Sequence, residues 1–372
     1  MRWLPRDLSL RWTTFAVPAL LALAIGVAVA LGSSPASLGK KHAFGASGAA
    51  GTRAPAGGSS PSPAATPLPP TVTSPGLLGG SAFLSAAGTV IVGSAPILVA
   101  DSIDGGKTWN SLRPPSNGSG IAVDIANPKH LIVGGSTLQV SQDGGSSWRP
   151  TRLAPGAGPF QPLLISPFDG NVWFVLHRQR LARTRDGSAS WRDLTGLPPV
   201  SNPVLTPGQT LGQFYLAIGN RVFELIDNGQ SVVEQAALPD GVAVTDLAVV
   251  GGAKPGLIAR GGSGGAYLFA GDKWRLTGGL SGPVAAGPNG VLLVGNGGAK
   301  LGSAGEIEYS TDGGATWTQG IGLPYDQSVE AITGQPNTTV FFAYCYGGDV
   351  YISTDGGRAW TLLSRALRAT AG

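Results

Sequence analysis

One cysteine, Cys345, and three scattered histidines, His42, His130 and His177, deprive this 372-residue chain of several kinds of chemistry. A lone cysteine cannot form an internal disulfide, a cysteine-rich zinc site or a CxxC redox pair. The histidines show no HExxH or comparable pairing, so neither a metal nor another cofactor is expected. Cys345 sits in the apolar run Phe341-Phe342-Ala343-Tyr344-Cys345 and reads as a small buried hydrophobe. Charge is scarce as well: 12% of residues are charged and the formal net charge is +4. Nucleic-acid partners select for clustered basic stripes, so none is expected.

What the chain has in quantity is glycine and proline, 59 and 29 residues. Both are costly inside helices and at home in turns, which points to many short strands joined tightly. The N-terminal part stands apart from this. Residues 13–32 carry no charge across a length sufficient to cross a hydrocarbon core as a helix, and Arg2, Arg6 and Arg11 precede them. The expected division is a cytoplasmic segment at 1–12, a transmembrane anchor at 13–32 and an extracytoplasmic remainder at the cell membrane. Ala28-Val29-Ala30 would suit a cleavable signal, in which case the chain is secreted. Residues 33–75, mostly Ser, Pro, Ala, Gly and Thr, hold too few large apolar side chains to offset ordering and are read as a disordered linker.

From residue 76 to residue 372 the sequence repeats itself. Ser102-Ile103-Asp104-Gly105-Gly106-Lys107-Thr108-Trp109 returns as Ser141-Gln142-Asp143-Gly144-Gly145-Ser146-Ser147-Trp148, then around Asp312 and Trp317 and around Asp355 and Trp360. Asp186 and Trp191 mark a weaker copy, Asp272-Lys273-Trp274 a shortened one, and Asp227-Asn228-Gly229-Gln230 one that has lost its tryptophan. The seven aspartates follow one another at intervals of 39 to 45 residues. Each unit also carries several short β-like runs, which gives four strands per unit, the size of a propeller blade. The Asp-Gly-Gly core supplies positive φ angles, the aspartate can accept bonds from its own turn, and the tryptophan can fill the wedge between blades.

These eight-residue turns resemble the Asp-box, or bacterial neuraminidase repeat, group of β-propellers, which includes sialidases, sortilin-like receptors, xyloglucan-cleaving glycosidases and photosystem II assembly factors. The resemblance implies an all-β, seven-bladed propeller of four-stranded blades, with the boxes structural and remote from any ligand. Blade one has its own first strand near residues 81–85 and blade seven ends on Trp360-Thr361-Leu362-Leu363, a register on which the ring closes without exchanging a strand; closure by a swapped strand stays open as the alternative.

The alternative function is a sialidase-like or other glycoside hydrolase acting outside the cytoplasm. Sialidases resemble one another in an Arg-Ile/Val-Pro element that this chain lacks. A glycosidase needs two cooperating carboxylates. Outside the boxes, Asp101, Asp124, Asp240, Asp246, Glu306, Glu308, Asp326 and Glu330 show no spacing that marks a pair, so no catalytic residue is assigned. The reading is therefore a non-enzymatic, monomeric binding or assembly module that presents a propeller face to a protein or glycan partner. Residues 149–193 hold seven arginines against three aspartates, a local excess of four that equals the charge of the whole chain. Arg178 and Arg180, two apart and therefore read as sharing a strand face, are the leading partner-binding candidates, with His177, Arg152 and Tyr325 beside them.

Overall fold

The computed structural model describes the strands between residues 72 and 112 and then residues 120–365, apart from 153, 155–157, 252–255, 263–264, 278–279, 297–305, 325–326, 335–337 and 346–348; side chains are described between residues 120 and 363. Residues 13–32, Asp104, Trp109 and Tyr325 lie outside the described residues. No helix among the described residues is long and apolar enough to cross a membrane.

The described elements are all-β apart from one short 3-10 turn at Pro288–Gly290. They form seven antiparallel sheets, here numbered one to seven, spanning residues 81–112, 121–150, 160–193, 204–234, 244–277, 284–319 and 329–365. Each is a four-stranded meander in chain order, so every turn joins neighbouring strands. The first strands pack against one another from sheet to sheet. Ile121–Val123 meets Phe160–Ile165, which meets Val204–Pro207, and the contacts continue through Val244–Val250, Val284–Ala286 and Val329–Gly334 to Ser81–Leu84. This is the arrangement of a propeller, with first strands innermost and fourth strands at the rim.

The sequence explains the radial order. Inner strands are apolar on both faces because each is covered by its neighbours, and Val204–Pro207 and Val284–Ala286 are buried throughout. Fourth strands keep polar residues because they face solvent, as in the exposed pairs Arg149–Pro150 and Thr318–Gln319. The core lies between sheets. Phe174 of sheet three and Phe214 of sheet four meet edge-on at 4.8 Å. Cys345 is buried among Val329, Phe341 and Trp360, and Tyr344 is fully buried.

The expectation about closure holds for the four strands of sheets one and seven, with one addition. Sheets one and seven do own their four strands, but Val72–Thr73 adds a fifth strand to the rim of sheet seven, parallel to Thr361–Arg365. The pairing sets Val72 opposite Ser364 and Thr73 opposite Arg365. The end of the stretch read as linker thus reaches the last blade, using the unpaired N–H and C=O groups that any edge strand offers.

Candidate functional site

The repeated turns join strand three to strand four of their sheets. Three of them carry one hydrogen-bond circuit. In sheet six, Ser310 Oγ donates to Asp312 Oδ1 at 2.7 Å and accepts from the Gly314 N–H at 2.8 Å. Asp312 in turn accepts from the Thr316 N–H at 3.0 Å and from Thr316 Oγ1 at 2.6 Å. Ser141, Asp143 and Ser147 repeat this in sheet two, and Thr184, Asp186 and Ser190 in sheet three. In sheet seven Ser353 and Asp355 keep the circuit without the second hydroxyl, since Ala359 supplies only its N–H. Gly313 and Gly314 hold φ of 70° and 83°, which only glycine adopts freely.

Bonds to the ionised form lower a carboxyl's pKa. The hydroxyl of Ser147 leads in holding Asp143 at about 2, and that of Ser190 does the same for Asp186. Thr316 pulls Asp312 well below the ordinary range. These circuits close within their own turns.

Asp227 and Asp272 differ. Both occupy tight turns with left-handed backbone, φ 50° and 66°, and neither has the flanking hydroxyl circuit. Their positions kept the count of units correct although they are plain hairpin turns.

The opposite ends of the sheets carry the turns between strands two and three and the connectors between sheets. At that end of sheet three lies an open groove of about 410 Å³, lined by Arg178, Arg180, Leu194, Leu197, Pro198 and Val200 among others. Three candidates need repositioning here. Arg178 does not share a strand face with Arg180: it lies in the hairpin turn with Gln179, at φ 44° and 61°, while Arg180 opens the next strand. The alternation rule failed because it assumed a strand where the chain turns. The structure nonetheless brings both arginines to the groove, through the turn. His177 is buried, with Nε2 2.9 Å from Asp193 Oδ1, and so supports the groove instead of facing a partner. Arg180 Nη1 donates to the other Asp193 oxygen at 3.2 Å. Burial acts to raise the Asp193 carboxyl, but the bonds from His177 and Arg180 outweigh it and hold it below its ordinary value. Arg178 is exposed and makes no hydrogen bond or ion pair with the described residues.

Arg152 does not join them. Its backbone N–H donates to Ser188 Oγ in the box turn of sheet three, at the other end of the strand that Arg180 opens. Arg183, Arg185 and Arg192 also lie toward that other end.

Sequence reasoning missed one cluster, since its members sit in different sheets. Asp246 is 1% exposed and accepts N–H bonds from Leu247 at 2.9 Å and from Val284 of the next sheet at 2.8 Å. Burial pushes its carboxyl up to about 7 against the pull of those bonds and of Arg260. Burial also raises Glu330, which senses Arg260 too. Only inter-strand pairing, Asp246 opposite Arg260, could have disclosed this. Among the described residues no group of three His, Cys, Asp or Glu side chains is arranged to hold a metal.

The BNR/Asp-box repeat family model matches residues 308–319, the turn around Asp312, in agreement with the resemblance carried by the repeated turns. No curated protein sequence matches the chain. Among solved structures, the GH74 xyloglucanase from Xanthomonas campestris matches at 16% identity and TM-score 0.59, over 80% of this chain and 55% of that one. The β-propeller domain of Myceliophteria thermophila Cps50 (Swd1) matches at 10% identity and TM-score 0.54, over 77% of this chain and 98% of that one. YCF48 bound to D1 peptide matches at 17% identity and TM-score 0.48, over 65% and 79%. The chain spans about half the length of the xyloglucanase. At these identities the likeness shows a β-propeller fold alone.

Proposed function

We propose that this protein is a non-enzymatic binding module, a single seven-bladed propeller that takes an anionic protein segment at the loop end of sheet three. The observation that carries this reading is the groove beside Arg178. It pairs an exposed guanidinium that has no carboxylate partner among the described residues with an apolar wall of Leu194, Leu197, Pro198 and Val200. A charge to be met and a surface to be covered are what a peptide with an acidic and an apolar side chain requires. The rigid frame behind the groove comes without a large element to move, because the turn is fixed by the His177–Asp193–Arg180 contacts. The uncharged stretch at 13–32 supports placing this face outside the cytoplasm, tethered to the membrane, or secreted if that stretch is removed.

The alternative is a glycoside hydrolase, and Asp246 with Glu330 is the observation in its favour, since a raised carboxyl can serve as a general acid. Asp246 has a simpler role as a strut. Both its oxygens accept backbone N–H groups, and one of them ties sheet five to sheet six.

Cross-linking of the full chain in intact cells, with mapping of the linked residues, tests the proposal. The expected result is a partner linked at the groove and lost with Arg178→Glu/Arg180→Glu. A partner captured equally by the variant overturns it, as does turnover of chromogenic glycosides that disappears with Asp246→Asn or Glu330→Gln.

A further inference from the structure

Among the described residues, the tryptophans five residues after Asp186, Asp312 and Asp355 pack at the seam with the preceding sheet. Trp191 lies against Ile132, Val140 and Trp173 between sheets two and three. Trp317 packs between sheets five and six, where its indole N–H donates to Thr277 Oγ1 at 3.0 Å. Trp360 is buried between sheets six and seven. Even the shortened copy keeps the habit, since the Trp274 indole N–H donates to the Ala236 carbonyl of sheet four at 2.6 Å. At the seam between sheets three and four no tryptophan follows: Val232 stands five residues after Asp227 and packs against the core, and a cleft of about 350 Å³ opens beside Gln230.

Three arginines line that cleft with Trp191, Ser190 and Gln230, and no carboxylate does. Arg183 and Arg192 are directly opposite each other on adjacent strands, a like-charge pairing that costs stability. Arg183 is 5% exposed, yet its recorded bond is Nη1 to the neutral carbonyl of Asn228, at 2.5 Å. Arg185 makes a direct ion pair, donating to Asp227 Oδ1 at 2.7 Å. Arg192 has no hydrogen bond or ion pair with the described residues. The nearby Asp186 carboxylate is occupied by Thr184 and Ser190 within its own turn. Burial, then the charges of Arg185 and Arg192, lower the affinity of Arg183 for its proton, against the opposing pull of Asp227.

We infer that this cleft is a binding site for an oxyanion, a sulfate, phosphate or carboxylate group, held by the guanidinium groups of Arg183 and Arg192. The geometry favours such a ligand over a bare halide, because planar guanidinium groups donate paired N–H bonds to oxygens. The site lies at the box end of the molecule and is independent of the groove at Arg178.

The test titrates the full chain with sodium sulfate, sodium phosphate and sodium acetate against sodium chloride at matched ionic strength, reading tryptophan fluorescence and thermal midpoint. At least one oxyanion is expected to saturate a signal that chloride does not produce. Arg192→Gln, an exposed change that leaves the strand pairing intact, is expected to weaken binding about tenfold, the worth of a charge-assisted bond. Arg178→Gln is expected to leave it unchanged. Oxyanions indistinguishable from chloride, or equal binding by Arg192→Gln, would overturn the inference.

Discussion

The turn at Asp312 and the turn at Asp227 occupy the same place in sheets six and four, yet they hold the molecule together differently. At Asp312 a serine and a threonine close a circuit on the carboxylate, and the following tryptophan reaches the preceding sheet. At Asp227 the backbone makes the turn unaided, and at this end of the seam Arg183 and Arg185 donate across from sheet three beside the apolar contacts of the core. A full box thus joins two tasks, fixing a hairpin and filling a wedge. Where it has eroded, the hairpin survives because Asn228 and Gly229 accept left-handed backbone, while the smaller Val232 packs against the core and polar groups cross at the turn.

The largest expected difference between the two arrangements lies in the wedge. Trp360→Ala removes a buried ring between sheets six and seven and is expected to destabilise by about 3–5 kcal/mol. Val232→Ala, at the matching place in sheet four, is expected to cost about 1 kcal/mol, because the side chain is small and half-buried. Urea unfolding midpoints compare them, and equal losses would break the distinction.

The circuit itself is worth less. Ser310→Ala leaves the buried Gly314 N–H without its acceptor and is expected to cost about 1–3 kcal/mol. It also has a pH signature. Asp143 and Asp186 titrate at about 2 in the folded chain against an ordinary 3.8, so their contribution is complete above that ordinary value and is lost as pH falls toward 2. Ser147→Ala, which frees Asp143 from its leading bond, is expected to move acid unfolding to higher pH in a thermal-midpoint series from neutral pH downward. An unchanged acid limb would show the circuit to be without weight.

The smallest effect is expected at Asp227→Asn. The residue is exposed, asparagine tolerates its backbone, and only the ion pair with Arg185 is lost, about 0–1 kcal/mol. A loss matching Ser310→Ala would mean that the eroded turn still acts as a full box.

The same contrast explains what could be read in advance. The boxes were legible because the hydroxyl–carboxylate circuit of each forms within eight residues, and the seven-unit spacing followed from them. The strand at Val72–Thr73 was not, since two residues at the end of a Pro- and Ser-rich stretch carry no alternation and their partner is nearly 300 residues away. Arg178 and Arg180 were correctly grouped on a mistaken premise, because φ at Arg178 and Gln179 turns the chain where a strand was assumed. His177 looked available to a partner until Asp193, 16 residues on, was seen to engage it. The Asp246–Arg260 pairing and the arginines lining the cleft beside Gln230 depend on which strands and sheets are neighbours, and sequence spacing does not encode that.

The central claim, a binding module acting through the loop end of sheet three, is tested most directly by mapped cross-linking of the full chain in intact cells with and without Arg178→Glu/Arg180→Glu. The account predicts cross-links concentrated in residues 178–180 and 194–200 and abolished by the reversal. Cross-links that fall elsewhere, or that survive the reversal undiminished, would contradict it.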